Sequence, residues 1–189
     1  MLKTNLDYMR WFRNIAPYVN AHRGNTFVIA LPGEALEDAN FSNLLHDIAL
    51  LHSLGVKLLI VHGCRPQVES RLAARGIESE YHENLRITNK NVMTHVVDAS
   101  SSIKNLIEAQ LSMGLPNSPL SGAKLKISSG NFITTQPLGV VDGVDLEFTG
   151  KVRRVDGISI AQQLDLGAIV LQSPLGHSST GETFNIALH

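Results

Sequence analysis

Short apolar runs alternate with helix-like stripes of apolar residues along the first half of the chain. Residues 27–31 form a nearly all-apolar run that ends at a Pro-Gly turn, which predicts a strand buried on both faces. Residues 40–54 carry apolar side chains on one helical face, with Gly55 at the expected C-cap. A second apolar run, residues 56–61, precedes a turn at residues 62–66 and a further helix. This order predicts a parallel sheet that binds ligands at the carboxyl ends of its strands.

The N-terminal residues have the periodicity of an amphipathic helix. Apolar side chains recur at intervals of three or four, at Leu6, Met9, Phe12, Ile15 and Ala16. We therefore predict a helix over residues 5–21 that is interrupted around Pro17 and forms a separate arm.

A long helix is predicted next, over residues 87–111, behind a cap at Thr88 or Asn89. Its apolar stripe, which should face the core, consists of Val92, Val96, Ile103, Ile107 and Leu111.

Beyond residue 119 the pattern is typical of strands. Residues 123–127 and 131–136 flank Ser-Ser-Gly, which predicts an antiparallel hairpin. Residues 144–155 predict another strand, residues 158–166 a short helix, and residues 168–171 a third buried strand.

The last residues predict a loop followed by the start of a further unit. The loop, residues 173–182, is rich in serine and glycine, and residues 184–188 begin the new unit. The sequence contains no internal repeat, low-complexity tract or linker, so we predict one domain over residues 1–189.

Composition narrows the classes of function. Sixteen basic and 17 acidic residues give a net charge of −1, and the scattered basic residues argue against nucleic-acid binding. The single cysteine, Cys64, cannot form an internal disulfide and favours the cytoplasm. No apolar run approaches the roughly 20 residues that span a bilayer, so no membrane partner is expected. A small molecule or a protein is the expected partner.

The turns after the first two predicted strands hold the candidate site. Gly33 and Gly63 would let the backbone turn tightly and leave amide N–H groups free for a carboxylate, although a simple turn explains them about as well. Arg65 could bind a carboxylate bidentately or lie in solvent. His62 and Cys64 are predicted to be packed, non-catalytic residues, because neither has the partners of a catalytic triad.

Motifs for metals and nucleotides are missing from the sequence. Eight histidines are spread along the chain without Cys-x-x-Cys or His-Glu-x-x-His, so we predict no metal site. Neither a Walker loop nor Gly-x-Gly-x-x-Gly follows a predicted strand. Without any resemblance to a known family, the residues indicate an α/β domain with a site of the size of an amino acid.

Several segments, in order along nearly the whole chain, resemble one known family. They are Ala-Pro-Tyr-Val-Asn-Ala-His-Arg-Gly (16–24), Val-His-Gly-Cys-Arg-Pro-Gln (61–67), Leu-Arg-Ile-Thr (85–88), Gly-Lys-Val-Arg-Arg-Val-Asp (150–156) and Gly-Glu-Thr-Phe-Asn (181–185). The family is the bacterial N-acetylglutamate synthases, in their N-terminal amino-acid-kinase-like domain. The resemblance implies a three-layer α/β sandwich with a mostly parallel sheet and an antiparallel hairpin, truncated midway through the domain.

The resemblance also implies a function for a parent protein. That family joins this domain to an acetyltransferase domain, which transfers acetyl from acetyl-CoA to L-glutamate in the first step of arginine biosynthesis. L-Arginine inhibits through the kinase-like domain. Nothing in the 189 residues resembles the acetyltransferase part, so we expect no catalytic residues and no cofactor in this chain.

The same resemblance assigns roles to a few positions. Tyr18 matches the aromatic residue of the family's arginine site, whose other residues lie in the missing half, so arginine should bind weakly or not at all. Gly33, Gly63 and Arg65 would line a vestigial substrate cleft. The family's kinases carry lysine at the position of Ala30 and, further along, aspartate at that of His189. Both differences argue against phosphoryl transfer.

The N-terminal helix would pair subunits of a homo-oligomer through Met9, Phe12 and Ile15, unless these residues pack on their own domain. Two other functions stay open. The first is a true acetylglutamate kinase, and the second is a stand-alone amino-acid-binding or oligomerisation module.

Overall fold

The computed structural model describes residues 2–113 and 125–187. Helix α1, Leu2–His22, runs continuously through Pro17, so the predicted interruption is wrong. A proline removes one backbone hydrogen bond from a helix. Pro17 lies on an exposed face, where water can bond to the freed carbonyl.

A parallel sheet and its helices follow α1. The elements up to residue 112 are β1 (Thr26–Leu31), a 3-10 helix (Gly33–Glu37), α2 (Phe41–Ser53), β2 (Lys57–His62), α3 (Arg65–Ala73), β3 (Tyr81–His82), β4 (Leu85–Arg86) and α4 (Lys90–Ser112). The later elements are β5 (Lys126–Ser128), β6 (Ile133–Pro137), β7 (Val140–Val141), β8 (Val144–Asp145), β9 (Thr149–Val155), α5 (Gly157–Asp165), β10 (Ala168–Gln172), β11 (Leu175–His177) and β12 (Thr183–Ile186).

The central sheet has the order β1-β2-β10-β5, and all its strands are parallel. This arrangement confirms the predicted parallel sheet. All of β10 is buried, as predicted for residues 168–171. The expectation that residues 27–31 are buried on both faces is wrong. Val28 is 65% exposed, alternate side chains are half-buried, and only Leu31 is buried. An apolar run fits a strand covered on both sides, but the described residues cover one side of β1.

Helix α4 supplies much of the core beneath the sheet. All five residues of its predicted apolar stripe are buried. The helix begins at Lys90 rather than residue 87, because the Asn89 side chain accepts a hydrogen bond from the Val92 amide at 2.9 Å and caps it there. Thr88 is buried just before the helix.

Four short strands close on themselves in the order β11-β12-β9-β6. The hairpin predicted from residues 123–127 and 131–136 is therefore wrong, because β5 pairs with β10 while β6 pairs with β9. Residues 123 and 124 lie outside the described residues. The further unit predicted at residues 184–188 is also wrong over its described part. There β12 pairs with β11 and β9 and completes this barrel.

Two antiparallel hairpins are formed by other residues, β3–β4 and β7–β8. Their two-residue turns have positive φ, at Glu83 (48°) and Asn84 (64°) and at Asp142 (49°) and Gly143 (83°). Such turns match the twist of the strands that they join. The predicted strand over residues 144–155 is therefore split into β8 and β9.

Helix α5 lies close to the predicted residues 158–166. Asp156 caps it by accepting a hydrogen bond from the Ser159 amide at 3.1 Å. Among the described residues, no helix is both long and apolar enough to cross a membrane.

Candidate ligand-binding cleft

A cavity of about 330 Å³ lies at the carboxyl ends of β1 and β2. It is bounded by the turns after these strands, by hairpin β3–β4 and by residues near β9 and β12. Gly33, Gly63 and Arg65, which the sequence predicted to line a cleft, all line this cavity. Its size suits an amino acid or a small acyl derivative.

Gly33 allows the first two strand turns to come close together. A Cβ atom at this position would lie 2.6 Å from Pro66 Cδ and 3.0 Å from the Arg65 amide nitrogen. The Gln67 side-chain amide donates a hydrogen bond to the Gly33 carbonyl at 2.8 Å, which joins the two turns directly. A side chain at Gly33 would push the walls of the cleft apart.

Gly63 has a different role from the one expected. Its amide N–H donates to the Leu31 carbonyl at 2.8 Å, so it is not free for a ligand carboxylate. The hydrogen bond extends the parallel pairing of β1 and β2 by one residue and fixes the floor of the cleft.

Arg65 is the first residue of α3, and its guanidinium carbon lies 4.7 Å from the centre of the Tyr81 ring. The guanidinium carbon of Arg86 lies 5.0 Å from the same ring centre. Both contacts are cation–π interactions, which orient guanidinium groups without using all their N–H donors. Two positive charges therefore border the cleft, one at the start of α3 and one on β4.

Glu69 anchors the Arg86 side of the cleft. Arg86, only 6% exposed, donates from Nη2 to Glu69 Oε1 at 2.7 Å and from Nη1 to Ser79 Oγ at 2.7 Å. The hydroxyls of Ser79 and Tyr81 also donate to the Glu69 carboxylate. Burial by itself would raise the pKa of Glu69, but the hydrogen bonds from Ser79 and Tyr81 and the charge of Arg86 outweigh it and lower that pKa.

His62 and Cys64 are packed residues, as the sequence predicted. His62 is fully buried, and its burial lowers the pKa of the imidazole. Cys64 lines the cleft, and its burial raises the pKa of the thiol to about 11. A thiol with that pKa stays protonated at neutral pH and is a poor nucleophile.

A network of hydroxyl and amide groups supports another part of the cleft wall. Thr88 Oγ1 lies 2.8 Å from Thr149 Oγ1, and Asn185 Nδ2 donates to Thr88 Oγ1 at 3.1 Å. The Thr149 hydroxyl donates to the Arg86 carbonyl. This network connects β4, β9 and β12, and it places Thr149 and Asn185 on the cavity surface.

Two other residues singled out from the sequence lie outside the cleft. Tyr18 is on α1, is 69% exposed and does not line the cleft. Ala30 is exposed on β1. His189 lies outside the described residues.

The sequence analysis missed Tyr81 and Arg86 as site residues. The strands that carry them have two residues each, too short for a period to be recognised. The available signal was Glu83-Asn84, a turn-forming pair between two short segments.

The structure also brings together His82, Glu83 and Asp142, from the tips of the two hairpins, with potential ligand atoms within 4.8 Å of one another. No metal-ligand set was predicted there because Asp142 lies 59 residues after Glu83 along the chain.

The side chains that line the cleft are suited to binding a charged ligand. Two guanidinium groups can pair with carboxylates. The second N–H of the Asn185 side chain can donate to an acyl oxygen, and the Thr149 hydroxyl, whose proton goes to Arg86, can accept from a ligand N–H. Among the described lining residues, no histidine faces the protonated Cys64 thiol to activate it.

A parallel α/β sheet with such a cleft at its strand ends is the arrangement of an amino-acid-kinase-type domain. Residues 25–187 match the Amino acid kinase family, and the chain belongs to it. Over 181 residues it is 56% identical to an amino-acid acetyltransferase of Azotobacter vinelandii and 52% identical to one of Pseudomonas aeruginosa. Each alignment covers 96% of this chain and 42% of the relative.

A solved structure gives a close match as well. N-acetylglutamate synthase from Neisseria gonorrhoeae, in complex with coenzyme A and L-arginine, superposes with a TM-score of 0.86 at 35% identity. The match covers 94% of this chain and 42% of that one. Carbamate kinase from Giardia lamblia shares the fold alone, at 15% identity and a TM-score of 0.54. The chain thus spans less than half the length of the acetyltransferases that it resembles.

Proposed function

We propose that this chain is the kinase-like regulatory domain of an N-acetylglutamate synthase. The observation that carries the proposal is the 56% identity to an amino-acid acetyltransferase over 96% of the chain. In this proposal, the transfer of acetyl from acetyl-CoA to L-glutamate takes place in residues beyond these 189. This chain contributes regulation rather than chemistry.

The cleft is a vestigial substrate site for an acylated amino acid. Arg65 pairs with a carboxylate of the ligand, and Gly33 and Gly63 shape the floor beneath it. Ala30 stands where the kinases of the family carry a lysine, so the cleft has lost the charge that would stabilise a transferred phosphoryl group. N-Acetyl-L-glutamate, which is bound to the related structure from Neisseria gonorrhoeae, is the ligand of this class that we propose.

L-Arginine acts through Tyr18. The exposed phenol ring is available to a ligand at the surface of α1, and the related Neisseria protein was crystallised with L-arginine. The rest of the arginine site lies outside this chain, so binding is weak here. Losing contacts worth about 3 kcal/mol would weaken affinity by more than a hundredfold.

The chain acts in the cytoplasm as a homo-oligomer. Its single cysteine is buried and free, as is usual for proteins of reducing compartments. Met9 and Phe12 are exposed on α1, where they can pack against another subunit.

Thermal unfolding of the chain with each ligand tests the proposed function. We expect N-acetyl-L-glutamate to raise the midpoint, since a ligand at about 100 times its Kd stabilises the native state by about 2.7 kcal/mol. Arg65→Ala should abolish the rise, whereas Arg75→Ala, an exposed arginine outside the cleft, should keep it. L-Arginine should give a small rise or none, with D-arginine as the control.

One outcome would overturn the proposed function, and another would overturn the proposed binding site. Turnover of ATP with N-acetyl-L-glutamate would make the chain an acetylglutamate kinase. An unchanged response of Arg65→Ala to N-acetyl-L-glutamate would remove Arg65 from the binding site.

A further inference from the structure

A second cavity, of about 470 Å³, lies on the barrel strands. It shares no lining residue with the cleft at the ends of β1 and β2. Its polar and charged lining includes Arg153, Arg154, His177, Ser178, Ser179 and Asn131. The proposed function leaves these residues without a role.

A β-bulge places both arginines on this cavity. Thr134 on β6 is opposite Arg154 on β9, and the next residue, Thr135, is opposite Val152, so Arg153 has no partner in the ladder. Consecutive side chains of a regular strand point to opposite faces. A bulge inserts one unpaired residue and redirects its side chain, and here both Arg153 and Arg154 line one cavity.

Histidine and serine residues complete the site from the neighbouring strand and loop. His177 on β11 is paired with Thr134, so His177, Thr134 and Arg154 lie side by side on three adjacent strands. His177 Nδ1 lies 3.2 Å from the Thr183 hydroxyl, which leaves Nε2 for a ligand. The Ser178 hydroxyl already accepts hydrogen bonds from the amides of the following turn, which hold this loop in place.

The nearby carboxylates are bound to other groups. Asp156 accepts hydrogen bonds from the Ser159 amide at 3.1 Å and the Ser159 hydroxyl at 2.7 Å. Glu182 accepts one from the Thr180 hydroxyl at 3.1 Å. Within residues 2–113 and 125–187, neither Arg153 nor Arg154 forms an ion pair with a carboxylate. Hydrogen bonds from Ser159 and, to a smaller extent, the charge of Arg154 lower the pKa of Asp156. Because neither arginine is held in an ion pair with it, two adjacent positive charges still favour the binding of an anion.

We propose that this cavity binds the phosphate group of a small molecule, either free phosphate or diphosphate or a phosphorylated metabolite. A guanidinium group pairs bidentately with phosphate oxygens, and two such groups match the charge of a phosphate dianion. A carboxylate, with a single negative charge, would leave one guanidinium unpaired. The site shares no lining residue with the amino-acid cleft, so this proposal does not rest on the proposed function.

Calorimetric titration of the 189-residue chain with inorganic diphosphate and with ADP, at constant ionic strength, tests the proposal. We expect saturable binding of one ligand per chain. Arg153→Gln or Arg154→Gln should weaken it about tenfold or more, because each removes a charge-assisted hydrogen bond. Lys151→Gln removes the same charge from an exposed position of β9 outside the cavity, and should change Kd less than about twofold.

The two ligands separate the possible sources of the phosphate group. If diphosphate binds more tightly than ADP and Arg154→Gln weakens its binding, the site is for the free anion. If ADP binds more tightly than diphosphate and Arg154→Gln weakens its binding, the site is for a phosphorylated metabolite. The proposal fails if neither ligand binds saturably. It also fails if Lys151→Gln weakens binding as much as Arg154→Gln, since this would show attraction by overall charge alone.

Discussion

At the level of single residues, Glu69 holds the charged side of the cleft in place. Its carboxylate accepts hydrogen bonds from Ser79, Tyr81 and Arg86, and Tyr81 in turn lies against the guanidinium of Arg65. A single carboxylate on α3 therefore positions both arginines that border the cleft. Because Arg86 is buried, removing its counter-charge costs more than removing an exposed ion pair would.

We expect Glu69 to make stability depend on pH. Its pKa is lowered by folding from the ordinary 4.5, so its contribution is complete above about pH 4.5 and is lost as the pH falls through the folded pKa. Glu69→Gln should lower the free energy of unfolding at neutral pH by about 1–3 kcal/mol and flatten this acid dependence. Urea unfolding at several pH values measures both effects.

Glu78→Gln is the matched control, because Glu78 is an exposed carboxylate outside this network. If Glu69→Gln and Glu78→Gln gave the same pH profile, Glu69 would have no special part in stability.

Among the elements, α4 connects core and cleft. Its apolar stripe packs beneath the sheet, and Asn89 fixes its first turn directly after Thr88, which is buried and contacts the cleft residue Thr149. The start of the helix and the hydroxyl network are therefore set by neighbouring residues. If the start of the helix shifted by one turn, the hydroxyl network would be displaced with it.

Asn89→Ala should destabilise the chain by about 1 kcal/mol, because it leaves an amide of the first turn without its acceptor. Asn105→Ala, an exposed substitution in the middle of the same helix, should be neutral or slightly stabilising, since alanine is the better helix former. Thermal unfolding of both variants measures the difference. Equal midpoints would exclude a capping role for Asn89.

Local patterns explain which elements could be predicted from the sequence. Helices α2, α4 and α5 were predicted because apolar residues recur every three to four positions within each segment. Strand pairing is not local. Strand β5 pairs with β10, about 40 residues later in the chain, and not with β6, which follows it directly. The Ser-Ser-Gly between β5 and β6 is a turn signal that cannot specify which strands it joins.

The same distinction holds for the cleft. Gly33, Gly63 and Arg65 were found because each follows a recognisable strand. The bond from the Gly63 amide to Leu31 depends on the register of β1 and β2, which the sequence does not specify. Arg86 was missed because its role comes from Glu69 on a separate helix.

At the scale of the whole molecule, α1 exposes apolar surface. Phe12 is 64% exposed, and Met9 and Trp11 are exposed on the same helix. Ile15 is only half-buried, so the helix does not hide its predicted apolar face within the described part of the chain. Such a surface is typical of contacts between subunits.

Phe12→Asp should reduce the number of subunits, because it places a charge in the proposed contact between copies of α1. Light scattering after gel filtration gives the mass of each species. Asn14→Asp adds the same charge at an exposed polar position of α1 and should leave the mass unchanged. An unaltered oligomer in Phe12→Asp would refute the interface.

Strand β1 ends the order of the central sheet, and Val28 is exposed on the face that the described residues leave uncovered. The outer edge of such a strand offers backbone donors and acceptors to any extended chain that approaches it. In a crowded solution, another copy could add its own strand there and continue the sheet from one molecule to the next. We expect this edge to be a site of aggregation for the 189-residue chain.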